Sequence, residues 1–210
     1  MNLEPYYFPQ QGVIKFNFTD EELQPIKDEI NYIKNNMANC LPANNILIGH
    51  LDNEFYLEKT KKYISNLVFP SMKKYVEIFG FPYYTKNILT KDVNLTIDNV
   101  WVNFQKKHEF NPLHHHCGVF SFVIWIKTPY TKKDERQVFD LMEEHTKKNG
   151  SFVFSYNSML GYIVDEVVYA DKNFEGSGFL FPSSLNHAVY PFYTSDEYRI
   201  SVSGNFKFEV

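Results

Sequence analysis

From Asn94 to the end of the chain the apolar residues come in short runs, most of them closed off by turn formers. This pattern constrains the fold more than any other feature. Val93–Ile97, Val100–Gln105, Gly118–Ile126, Ser151–Tyr156, Gly161–Tyr169, Gly178–Phe181, Ala188–Phe192 and Tyr198–Phe208 read as strands. Asn111-Pro112, Asn149-Gly150 and Glu175-Gly176-Ser177-Gly178 supply turns. Eight short strands at close spacing argue for a β-sandwich or barrel. One stretch interrupts them: Thr131 to Lys148 carries KKDER and EEHTKK around Val138, Phe139, Leu141 and Met142, the pattern of a short surface helix. Its Asp134, Glu135 and Arg136 read as a solvated helix end.

The first part of the chain has a longer period. Thr19-Asp20-Glu21-Glu22 is a capping box, and Leu23, Ile26, Ile30, Ile33 and Met37 follow at helical spacing, so a helix is expected from Thr19 to Met37. A second is expected from Phe55 towards Ile78, kinked or divided at Pro70 and stopped at Gly80. Its apolar face would be Tyr56, Tyr63, Ile64, Leu67, Met72, Tyr75, Val76 and Phe79. Two helices ahead of eight strands imply helices packed on one outer face of the sheet structure.

Composition excludes several classes. The 210 residues suffice for one sizeable core. Twenty-one basic against 25 acidic residues give a net charge of −4, so a stable nucleic-acid partner is not expected. Cys40 and Cys117 form no framework or CxxC motif. The opening MNLEPYYFPQQGVIKFNF has no long apolar run, so neither a signal peptide nor a membrane span is expected, and a cytoplasmic, reducing setting fits. Aromatic residues reach 18%, which favours pleated surfaces. Tyr83, Tyr84, Tyr130, Tyr190 and Tyr193 suit either a substrate cleft or plain β-core, and exposed aromatics would suit a homodimer.

Candidate chemistry centres on His114-His115-His116, three of the seven histidines, directly before an apolar strand. In extended backbone residues two apart share a face, so His114 and His116 can point one way and His115 the other. Imidazole is the commonest ligand for transition metals. A solvated polar loop fits the same run. His187 is the candidate third ligand, or else a hydrogen-bonded core histidine. About a dozen residues on, Arg199, Ser201, Ser203 and Asn205 alternate with apolar neighbours. A polar inner face makes sense where it lines a pocket for a charged ligand, and the guanidinium fork of Arg199 matches a carboxylate. A surface pair of Arg199 with Asp196 or Glu197 is the alternative. Cys117 reads as an inert neighbour pointing away, and His50, His108 and His145 as solvated.

The ordered set Asn99-Val-Trp101-Val-Asn103, Pro112-Leu-His114-His-His116, Phe120-Ser121-Phe-Val, Gly178-Phe-Leu-Phe181-Pro182-Ser183, His187-Ala-Val-Tyr-Pro191 and Arg199-Ile-Ser201 resembles the 2-oxoglutarate/iron(II)-dependent oxygenases. It is most similar to a branch of small oxygenases, many encoded by phages and marine bacteria, and the likeness covers about residues 98 to 208. The resemblance implies a mainly β fold with N-terminal helices: a double-stranded β-helix, jelly-roll or cupin-like, with helices packed on its major sheet. It implies a single oxygenase domain over 1–210, with about 1–92 as helical support and about 93–210 as the barrel core. The expected cofactors are Fe(II), 2-oxoglutarate and O2, with oxidative decarboxylation of 2-oxoglutarate coupled to oxidation, as by a hydroxylase, of a bound substrate.

By the same resemblance His114, His116 and His187 would hold the metal, and Arg199 with Ser201 would bind the remote carboxylate of 2-oxoglutarate. Asn103, Ser121 and Trp125 would face it from neighbouring strands. One departure stands out: the family pattern has HxD or HxE, whereas the position two after His114 is His116. Three neutral imidazoles leave the ion at +2 until 2-oxoglutarate brings its two negative charges. That donor set also suits a three-histidine cupin-type dioxygenase working without 2-oxoglutarate, or a non-catalytic metal-binding β-sandwich module. The 131–148 stretch would suit a lid. The oxidised substrate stays open among small molecules, nucleobases and residues of a protein or peptide. For a phage-encoded member the location would be the host cytoplasm.

Overall fold

The structure, a computed structural model, describes residues 12–45, 47–80, 93–139, 141, 143 and 147–209. Among them, strands β1 (Ile14–Asn17), β2 (Glu54–Tyr56), β3 (Leu95–Gln105), β5 (Phe120–Lys127), β8 (Ser177–Pro182) and β10 (Arg199–Phe208) form one sheet. Its order is β1-β8-β5-β10-β3-β2. A second sheet, ordered β4-β9-β6-β7, is made of β4 (Asn111–His114), β6 (Phe152–Asn157), β7 (Ile163–Val168) and β9 (Asn186–Val189). From β3 onward the chain winds back and forth between the two sheets, which is the double-stranded β-helix. All pairings are antiparallel.

Two differences from the sequence reading matter here. Val93–Ile97 and Val100–Gln105 are one strand, β3, because β10 pairs along the whole of it and absorbs the irregularity as a register shift between Asn205 and Phe206. The first part of the chain is also not purely helical. Strands β1 and β2 cap opposite edges of the large sheet, and strands this short carry no periodic signal of their own.

Helix α1 (Asp20–Asn35) begins as its capping box predicts, with Glu22 N–H donating to Thr19 Oγ1 and Thr19 N–H to the Glu22 carboxylate. Helix α2 (Lys61–Phe79) continues across Pro70, so of the expected kink or division there is no division. Pro70 and Asn66, whose carbonyl loses its donor, both lie on the exposed face, where water serves instead. Gly80, at φ +67°, ends the helix in the left-handed region. The start of α2 is held by Glu29 of α1, whose buried carboxylate accepts from Thr60 N–H (2.8 Å) and Lys59 N–H (2.9 Å).

Strand alternation sorts the interior into two cores. Val100, Val102 and Phe104 of β3, Phe122, Ile124 and Ile126 of β5, and Ile200, Val202 and Phe206 of β10 face the helices, against Leu23, Ile26, Ile64, Val68 and Met72. Val123, Trp125, Phe152, Phe154, Phe179 and Phe181 fill the space between the sheets. Apart from Trp101, the remaining inward positions of β3 and β10 are polar, and there the barrel opens into a cavity.

Candidate metal centre and cosubstrate cavity

His114 ends β4 and lies directly across from His187 of β9 in the register. His116 sits two residues further on, where its backbone N–H donates to the Ser183 carbonyl at 2.9 Å. The turn that follows depends on Gly118, at φ +116°: a Cβ there would meet the Phe206 carbonyl at 2.7 Å. The three rings converge, with centroids 4.3 to 5.0 Å apart, and one nitrogen of each lies within 4.8 Å of the other two. His115 points out into solvent, as the alternation requires. Cys117 is likewise exposed.

Two tautomers follow from the backbone. His114 Nδ1–H donates to the Pro112 carbonyl at 2.7 Å, and His187 Nδ1–H to the Leu185 carbonyl at 2.9 Å. A carbonyl only accepts, so Nε2 of each ring keeps its lone pair. Phe152 stacks on the His187 ring at 5.4 Å, Phe181 meets it edge-on at 5.0 Å, and Trp101 lies 5.8 Å from His116. Burial pushes all three imidazoles below their ordinary range, His116 down to about 4, and the neighbouring histidines add to the shift. All three are therefore neutral donors near pH 7, as a divalent first-row ion requires.

The same cavity is lined by Trp101, Asn103, Trp125, Arg199, Ser201 and Ser203, and by Glu54, Leu47 and Ile48. Asn103 of β3 pairs with Ser201 of β10, and its amide nitrogen donates to Ser201 Oγ at 3.1 Å. Arg199 is 3% exposed, so it is no surface residue. Glu197 pairs instead with Lys127 and Asp196 with Lys107. The guanidinium donates to Gln105 Oε1 through Nε (2.9 Å) and Nη2, to Tyr130 Oη (2.6 Å) and the Gly150 carbonyl (3.2 Å) through Nη1, and to the Tyr190 carbonyl at 3.4 Å. Every partner is neutral. Among the described residues no carboxylate pairs with this buried cation.

Of the residues read from sequence, the structure brings together His114, His116, His187, Arg199, Ser201, Asn103 and Trp125. Ser121 is not part of that lining. It points between the sheets deeper in the barrel, where its hydroxyl bonds Asn205 Oδ1 at 2.7 Å and Ser183 Oγ at 2.9 Å. Glu135 corrects the reading of a solvated helix end. At 1% exposure it accepts from Thr194 N–H (2.8 Å), Thr194 Oγ1 (2.6 Å) and Tyr193 N–H (3.0 Å), which pins helix α3 (Lys132–Gln137) to the loop before β10. Sequence reasoning missed Gln105 as a partner of Arg199, although it lies two residues beyond Asn103 on the same strand face. It also missed Glu54, which has no motif around it. Tyr83 and Tyr84 lie outside the described residues, as does His145.

A family profile described as "Putative 2OG-Fe(II) oxygenase" matches residues 99–205, just over half of the chain. The chain belongs to the 2OG-Fe(II) oxygenases. Its members work with Fe(II), 2-oxoglutarate and O2, and His114, His116 and His187 form a group that could hold the metal ion. No curated protein matches its sequence. Among solved structures it is similar to a Pseudomonas putida prolyl-4-hydroxylase, with a TM-score of 0.57 at 12% identity over 94% of this chain and 93% of that one. An oxidoreductase of the 2OG-Fe(II) oxygenase family from Burkholderia pseudomallei gives 0.51 at 13% identity, over 93% and 84%. Prolyl 4-hydroxylases from Phytophthora capsici give 0.52 at 12% identity, over 95% of this chain but only 59% of that one. At such identities the likeness is one of fold. No described helix of the oxygenase is long and apolar enough to cross a membrane.

Proposed function

We propose that this oxygenase is a hydroxylase whose iron is held by His114, His116 and His187 and whose 2-oxoglutarate is anchored by Arg199. The observation that carries the reading is Arg199: a buried cation, matched only by neutral acceptors, that shares a cavity with three convergent imidazoles. A buried charge without a counter-ion is costly, and a dianionic cosubstrate supplies the missing carboxylate. Fe(II) with 2-oxoglutarate and O2 supplies the oxidative decarboxylation that is coupled to substrate oxidation.

The chain's own residues do the rest. The two backbone carbonyls hold the His114 and His187 rings with Nε2 inward, and Phe152 and Phe181 keep water from the His187 side. Gln105 and Tyr130 hold the Arg199 fork flat, Ser201 offers a hydroxyl beside it, and Asn103 orients that hydroxyl. Trp125 forms an apolar wall. Because no protein carboxylate joins the donor set, the cosubstrate's charge carries more of the balance here than in a site with HxD. Iron and 2-oxoglutarate should therefore bind with marked mutual dependence. The helices, the strands at both edges and the barrel act as one unit, since α1 and α2 share a core with β3, β5 and β10. The prolyl-hydroxylase likeness suits a peptide or small-molecule substrate, and the two free cysteines suit a cytoplasmic setting, the host's for a phage-encoded member.

Anaerobic titration of the metal-stripped protein with Fe(II) and then 2-oxoglutarate tests this through the visible charge-transfer band of the chelated 2-oxo acid. The band is expected in the wild type and not in His187→Ala. In Arg199→Ala it should need about tenfold or more cosubstrate, because a charge-assisted carboxylate fork is lost. Iron binding without any band would favour a three-histidine dioxygenase that works without 2-oxoglutarate. No iron binding would make the chain a metal-binding β-sandwich module at most.

A further inference from the structure

The wall of the cavity formed by β2, β3 and the start of β4 carries three oxygen acceptors that no described residue satisfies. Glu54 Oε1, Asn103 Oδ1 and Asn111 Oδ1 are all buried without a hydrogen-bond partner, and all three residues line the cavity that holds the histidines. Glu54 is 1% exposed and is the cross-strand neighbour of Asn103. Its other oxygen has a single long contact, from Asn44 Nδ2 at 3.4 Å. Native proteins rarely leave buried acceptors orphaned, and here three share one wall. Lone pairs gathered without donors repel one another, so the wall favours a ligand that brings N–H or O–H groups.

The carboxylate among the three says which donors. With iron (+2), Arg199 (+1) and 2-oxoglutarate (−2) bound and the three histidines neutral, the sum is +1, a field that favours Glu54 as a carboxylate and leaves its orphan oxygen to be paired directly. A buried carboxylate with an orphan oxygen binds a charged donor better than a neutral one. Ile48, also in the lining, is 57% exposed, so the cavity that holds Glu54 and the histidines is bordered by a residue in contact with solvent. We propose that Glu54, with Asn103 and Asn111, forms the primary-substrate subsite and takes a cationic nitrogen group, an amine or a guanidine, carried by the molecule to be oxidised. This rests on the reading of the histidine cluster as the iron site. Burial, with some help from the charge of Glu109, pushes the empty Glu54 carboxyl up to about 7, which agrees with a group awaiting a cation.

The chain's two tryptophans, Trp101 and Trp125, both line the cavity, so intrinsic fluorescence reads its contents without turnover. The protein is loaded anaerobically with Fe(II) and 2-oxoglutarate and titrated with n-butylammonium or methylguanidinium, then with n-butanol or methylurea as neutral counterparts. A saturable change is expected with one or both cations and not with the neutral probes, and the stronger cation identifies the substrate as amine or guanidine. Glu54→Gln should weaken it about tenfold or more, while Glu54→Asp, keeping the charge, should weaken it less. A flat cation titration, or equal binding by wild type and Glu54→Gln, overturns the subsite. The charge-transfer band of the same samples reads the iron site separately. Band present with a flat titration sinks this inference alone. Band absent with Glu54-dependent cation binding sinks the iron reading and leaves the cation site.

Discussion

At the scale of single residues, the inner surface of the barrel mixes groups that cost stability with groups that provide it, and Glu54 is the clearest cost. Its carboxyl is pushed up from an ordinary 4.5 to about 7, so the folded state holds a proton that the unfolded state has released. The group therefore costs nothing below pH 4.5, and stability falls as pH rises from 4.5 through 7. Glu54→Gln should remove that loss, leaving the metal-free protein more stable at pH 8 by on the order of 3 kcal/mol and unchanged at pH 4. Urea denaturation at the two pH values checks this, and an equal effect at both would show that the shift is not the cause. Glu135 is the opposite case. Its carboxylate satisfies two backbone amides and a hydroxyl at once. Removing it leaves those partly buried donors without their acceptor.

That consequence plays out between elements. Glu135 belongs to α3, yet its donors lie in the segment that leads into β10 and Arg199, so one side chain ties the charged insert to the cosubstrate end of the cavity. Glu135→Ala should cost about 1 to 3 kcal/mol and speed hydrogen exchange of the Tyr193 and Thr194 amides before that of β10. Exchange rising uniformly through β10 would mean that the loop and the strand unfold together. The tie also bears on the idea of a lid: the described start of the insert is anchored, so any movement at Glu135 must first break these bonds. The lone Pro70, by contrast, leaves α2 whole because its missing hydrogen bond falls on the solvent face.

For the whole molecule, the two cores have separable duties. Phe104, fully buried, belongs to the one between helices and sheet, and Phe181 to the one between sheets, 5.0 Å from the His187 ring. Phe104→Ala and Phe181→Ala should each cost about 3 to 5 kcal/mol. Only Phe181→Ala should also weaken Fe(II) binding, because only there does the new cavity loosen a ligand. Denaturant unfolding paired with Fe(II) titration at a permissive temperature separates the two effects, and an equal loss of metal affinity would show the cores to be coupled.

The alternation of β10, the capping box at Thr19 and the His114-x-His116 pair were legible in the sequence because each is a local pattern whose period sets a face or satisfies a neighbouring amide. So too was the company of His187 and Arg199, once their order was compared with a family. The edge strands β1 and β2 were not legible, since three- or four-residue strands exist only through the partners they pair with. Nor were Glu54 and Gln105, which acquire meaning from what lies across a strand or a cavity. Sequence alone determined which faces are apolar and which side chains can donate or accept. Tertiary structure decided which of those groups are buried together and left unsatisfied, because desolvation and pairing depend on contacts between residues far apart in the chain.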